Sequence, residues 1–140
     1  MLRRLTRVAA CIGVVSLAAC PEPSAVWIED GSTASHLVFG MASTRGGHGN
    51  FAFYGLRVSN CGGPYIREGA VWLVLRGVGN EAVHRIVYGE PPPGFVSEQG
   101  PKPLVPGCYA VTVDGTGSTT FDIGATGAVT ERPRSTTARQ

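Results

Sequence analysis

The sequence predicts an all-β fold, a single small antiparallel β-sandwich or partly open barrel following a cleaved N-terminal signal helix. Three observations carry that expectation. After residue 20, apolar residues rarely recur at the three-to-four spacing of a helix face. Short runs rich in Val, Ile, Thr, Tyr, Phe and Trp recur instead. Gly, Pro, Asn and Asp punctuate those runs at roughly the eight-to-twelve-residue interval of sandwiches and barrels.

The chain begins with Met1–Arg7 (MLRRLTR), which carries three arginines and no acid, followed by the uncharged run Val8–Ala19. That run of 12 residues falls short of the roughly 20 needed for a helical membrane span. A buried core helix is the other alternative. A basic terminus, a short apolar stretch and a small-residue end together match an export signal better.

The end of the run, Leu17-Ala18-Ala19-Cys20, resembles the lipobox of bacterial lipoproteins. The resemblance implies that the thiol of Cys20 receives diacylglycerol, that the chain is cut before it, and that further acylation, palmitate for example, follows; ordinary secretory cleavage at a nearby Ala is the alternative. One acyl chain holds a membrane marginally and two or more hold it stably. Pro21 stands where family members kept at the inner membrane often carry Asp, which favours the outer membrane in an organism that has one. The resulting organisation is a signal peptide over 1–19, a lipid anchor and tether over 20–24, a β domain over 25–130 and a disordered tail over 131–140.

Without residues 1–19, the chain carries nine basic and ten acidic side chains, so the basic character of the whole sequence leaves with the signal. No basic stripe remains to favour nucleic acid. Cys11 lies in the discarded segment and Cys20 is the anchor, which leaves Cys61 and Cys108 in a domain folding in an oxidising compartment. A disulfide between them is the economical reading. Metal binding by the same two cysteines and a histidine is the rival, but no CxxC or HxxxH spacing supports it.

Strands are expected near Val26–Glu29, His36–Ala42, Phe51–Ser59, Ala70–Arg76, Ala82–Tyr88, Cys108–Asp114, Thr119–Ile123 and Ala128–Thr130. In VWLVLR, Val71, Leu73 and Leu75 share one face, and Trp72, Val74 and Arg76 the other. Tyr109, Val111 and Val113 share a face, as do Phe121 and Ile123. In FAFYGLRVS the alternation changes parity, so a bulge is expected at Gly55. Asp114-Gly115-Thr116-Gly117 and Gly77-Val78-Gly79-Asn80 read as turns.

The segment LVPGCYAVTV, residues 104–113, resembles the Pro-Gly-then-Tyr start of a strand in bacterial immunoglobulin-like and transthyretin-like modules. It departs from the antibody pattern in that Tyr109 follows Cys108 directly. A core tyrosine at a strand start is the plainer reading. Residues 89–107 contain Pro91, Pro92, Pro93, Pro101, Pro103 and Pro106, and no regular element is expected there. A loop covering a sheet edge is the favoured reading, with a partner-binding loop as the alternative. Glu131–Gln140 (ERPRSTTARQ) has Ala138 as its only apolar residue and reads as the disordered tail.

Chemistry-bearing residues are sparse. His48 sits in a glycine-rich loop, while His36 and His84 fall in expected strands. Glu68, Glu81, Glu90 and Glu98 are scattered through expected loops. Ser118 lacks the flanking glycines of a nucleophile elbow, and the Gly77–Gly79 pair precedes no helix. No catalytic residue, metal ligand or cofactor is assigned. The expected function is a lipid-anchored, non-catalytic envelope domain that binds or scaffolds a protein or glycan partner. Arg45, His48, Asn50, Pro92 and Phe95 are its candidate loop contacts, with Trp72 and Arg76 a second candidate surface. The alternative is a small envelope hydrolase, or a hydrolase inhibitor, acting on cell-wall or glycan material.

Overall fold

A computed structural model describes residues 25–42, 53–64, 67–78, 83–113 and 117–133. The proposed signal, Cys20 and the Arg45–Asn50 loop lie outside the described residues. Nine strands run in chain order: β1 Ala25–Ile28, β2 Val38–Ala42, β3 Gly55–Asn60, β4 Ala70–Arg76, β5 Arg85–Val87, β6 Phe95–Gln99, β7 Gly107–Val113, β8 Gly117–Ile123 and β9 Val129–Glu131. A single turn of 3-10 helix, Arg67–Gly69, precedes β4.

The strands form two antiparallel sheets, which do not close into a barrel. The small sheet has the order β1-β2-β5, and the large one β6-β4-β3-β7-β8-β9. They face each other across one apolar core, so the sandwich expectation holds. Alternation explains most of the inner faces. Tyr109, Val111 and Val113 of β7 point inward beside Phe121 and Ile123 of β8. The Tyr109 and Phe121 rings stack at 5.6 Å, and Phe39 of the small sheet meets Phe121 at 6.1 Å.

Strand β4 is apolar on both faces, which is why alternation alone does not say which side is inner. Trp72 and Val74 take the core and are fully buried, while Leu73 and Leu75 point outward. The Trp72 indole donates from Nε1 to Ser97 Oγ at 3.0 Å and meets Tyr88 edge-on. Trp72 is therefore a core residue and not part of a contact surface.

Two expectations need correction. The ladder starts at Gly55, and the register shift lies between Val58 and Ser59 rather than at Gly55. Phe53 reaches the core from just ahead of the ladder, where its carbonyl accepts from Arg76 Nε at 2.9 Å. The proline-rich segment also contains a regular element after all, the edge strand β6, paired with β4. Its five residues alternate once Gly94 and Gly100 are set aside as boundaries. Phe95 and Ser97 face inward and Val96 and Glu98 outward, with the prolines confined to the flanks, as suits a sheet edge. Gly100 has φ +71°, and a Cβ there would run into the Val71 carbonyl, so only glycine fits that boundary.

Strand β9 also runs through Glu131, into the segment read as tail. The Glu131 carboxylate accepts from Thr119 Oγ1 at 2.8 Å and from the Ile28 N–H at 3.4 Å, which ties the two sheets together.

The sandwich has two distinguishable ends. At the disulfide end, Cys61 follows β3 and is bonded to Cys108 of β7, with Cα atoms 5.4 Å apart. The β1–β2 turn lies at this end too, because Thr33 bridges to Ala128 in the β8–β9 turn. At the opposite end Gly55 faces Leu75, Arg76 faces Phe95, Val113 faces Gly117, and Ala25 starts β1 opposite Ala42.

Candidate functional site

The cysteine pair joins neighbouring strands of one sheet, next to the Asn60–Tyr109 pairing, and Cys61 N–H donates to the Cys108 carbonyl at 3.0 Å. An immunoglobulin domain instead bridges its two sheets with the disulfide. Tyr109 has a second role besides its place in the core. Its hydroxyl donates to the Val105 carbonyl at 2.8 Å and accepts from the Val105 N–H at 3.0 Å. This pins the crossover from β6 to the start of β7, in the manner of the tyrosine corners of other sandwiches.

The expected site residues do not converge. Cys20, Arg45, His48 and Asn50 lie outside the described residues. Pro92 is half-buried, and its carbonyl accepts the Phe95 N–H at 3.0 Å in the turn into β6. Phe95 is buried, with its ring stacked on Phe53 at 4.8 Å and the Arg76 guanidinium 4.7 Å above it. It serves packing rather than a loop surface. His36 is exposed in the β1–β2 turn at the disulfide end. His84 is exposed ahead of β5 at the other end, where its carbonyl accepts from the Met41 N–H.

A concavity among the described residues was not singled out in the sequence. Gly55 has no side chain to set beside Leu75, and a shallow groove of about 220 Å³ opens over it. Tyr54, Leu73, Leu75 and Thr112 line the groove, and Arg57 sits between Leu73 and Thr112 in the cross-strand row. Arg57 is only 8% exposed, and its Nη2 donates to the Pro64 carbonyl at 3.1 Å in the β3–β4 connection.

Such a lining favours apolar contact with one guanidinium to hand. Among the described residues, no three His, Cys, Asp or Glu side chains gather as a metal site would require. The sequence signal for the groove is the doubly apolar β4 next to a glycine in the neighbouring strand.

Alongside this geometry, no family model matches the sequence, and neither a curated protein nor a solved structure is detectably similar to it.

Proposed function

We propose that the chain is a lipid-anchored cell-envelope protein whose sandwich works by contact with an envelope protein or glycan rather than by catalysis. The observation that carries the reading is Leu17-Ala18-Ala19-Cys20, placed five residues before the first strand of a disulfide-linked β domain. A disulfide suits an oxidising compartment outside the cytosol. The diacylglycerol and further acylation implied at Cys20 would hold such a domain stably at a membrane surface.

The groove lining of Tyr54, Leu73, Leu75, Thr112 and Arg57 offers no carboxylate or imidazole for proton transfer. A concave site holding His48 or His84 beside a carboxylate would favour the hydrolase reading. Among the described residues, His36 and His84 stand at opposite ends of the sandwich and neither lines the groove; His48 lies outside the described residues.

The test is metabolic labelling with a fatty-acid probe in a bacterium that processes lipoproteins. The wild-type chain takes up label and loses residues 1–19, while Cys20→Ala stays an unlabelled precursor. An unlabelled wild-type chain, or normal labelling of Cys20→Ala, overturns the reading.

A further inference from the structure

We propose that the apolar rim at the Gly55 end is the surface by which the domain rests on the bilayer that holds its anchor, an inference that rests on lipidation of Cys20. Four side chains form the rim: Tyr54 is 77% exposed, Val78 81%, Val96 52% and Leu75 37%. Leu75 pairs with Val96, and Tyr54 and Leu75 share the groove, so these three make one patch, while the Val78 N–H donates to the Gly94 carbonyl two residues before Val96. Contiguous exposed apolar surface of this kind marks a protein or membrane contact. Tyrosine among aliphatic residues suits the interfacial layer of a bilayer.

The position of the anchor selects the lipid. Ala25 starts β1 at the Gly55 end, because β1 finishes beside the β8–β9 turn at the disulfide end. Ala25 lies five positions after Cys20, a reach of at most about 18 Å. β1 packs over β8, three strands from β4 and four from β6, about 14–19 Å across the large sheet. A lipid on Cys20 therefore holds the bilayer at the end of the sandwich that carries the rim, while the disulfide end stands about 20 Å away along β7.

The acyl chains supply the hold on the membrane, and the rim sets which way the domain faces.

The experiment uses the full chain, expressed in a lipoprotein-processing bacterium, with membranes loaded with a phospholipid bearing a photoactivatable diazirine on its acyl chain. Lipid adducts are mapped by mass spectrometry, and acylation of Cys20 is read from the same samples. The expected result is adducts on the peptides holding Tyr54, Val78 and Val96. Those adducts are lost in the double variant Val78→Glu, Val96→Glu, and persist in Val105→Glu, which alters an exposed valine outside the rim.

Acylated Cys20 with adducts absent, evenly spread or centred on Val105 overturns the docking surface while leaving the anchor intact. Adducts replaced by crosslinks to a second copy or another protein overturn it in the same way. Unacylated Cys20 overturns both.

Discussion

Trp27 occupies the space that a side chain on Gly40, its cross-strand partner, would need. A Cβ at position 40 would overlap the indole Nε1 and Cε2 and the carboxylate of Glu29. On the outer face of a small sheet, the indole thus covers a glycine that contributes no packing of its own. Gly40→Ala is expected to push the ring off the sheet at a cost of about 1–3 kcal/mol, the usual range for overpacking. A lowered urea midpoint and a red-shifted tryptophan emission would show it. In a Trp27→Ala background the same substitution should cost much less, because the clash has gone. Equal losses in both backgrounds would mean that the Trp27–Gly40 contact is not the cause.

The Cys61–Cys108 bond closes a separation of 47 residues at one end of a single sheet, away from the inter-sheet core. Replacing both cysteines by serine should therefore cost about 3–5 kcal/mol through the unfolded chain, without a cavity in the core. Circular dichroism of the variant should keep its native shape in buffer while the urea midpoint falls. A variant that has lost its β signal before any urea is added would show that the bond organises the fold and does not merely stabilise it.

The parts of the fold legible in the sequence are those where one face is apolar and the other polar. Strands β7 and β8 alternate cleanly, so their inner residues Tyr109, Val111, Val113, Phe121 and Ile123 can be read directly. Strand β4 could be located but not oriented, because Leu73 and Leu75 are as apolar as Trp72 and Val74. That ambiguity hid the groove, since an outward leucine cannot be distinguished from a core one without knowing what β3 places beside it. Strand β6 was masked by its flanking prolines, although Phe95 and Ser97 alternate with Val96 and Glu98 once the glycine boundaries are seen. The link from Glu131 to Thr119 and Ile28 was invisible for a different reason. A carboxylate in a polar stretch gives no periodic signal, and its partners lie 12 and 103 residues away.

Tyr88 gives the domain an alkaline limit. Its phenol lies against the Trp72 indole and donates to the Lys102 carbonyl at 2.7 Å. Burial outweighs the hydrogen bond and pushes its pKa from 10 up to about 12. Because the folded pKa is the higher, the unfolded chain releases this proton first. The stability tied to Tyr88 is whole below pH 10 and declines between about pH 10 and 12. Denaturant midpoints measured across that interval should fall, and should fall less steeply in Tyr88→Phe, which has no proton to lose. Parallel slopes for the two proteins would rule out Tyr88 as the source.

Asp122 and Arg132 set the acid side and the C-terminal boundary together. Arg132 Nε and Nη2 donate to the two carboxylate oxygens at 2.6 and 2.8 Å. These hydrogen bonds hold the Asp122 carboxyl below its usual range, with the guanidinium charge adding to the effect. Here the folded pKa is the lower, so the contribution is present above the unfolded value, near 4, and is lost as the pH falls through the folded one. Arg132→Gln should return the Asp122 carboxyl titration, followed by NMR, to the ordinary range; an unchanged titration would show that the pair does not persist in solution. A chain ending after Thr130 loses both this pair and the Glu131 link between Thr119 and Ile28. It should melt below a chain ending after Pro133, chiefly through loss of the Glu131 link, since the Asp122–Arg132 pair is solvent-exposed and such pairs add little. Coincident melting curves for the two truncations would place the edge of the folded unit at Thr130, and β9 would then be an ornament rather than a strand that holds the two sheets together.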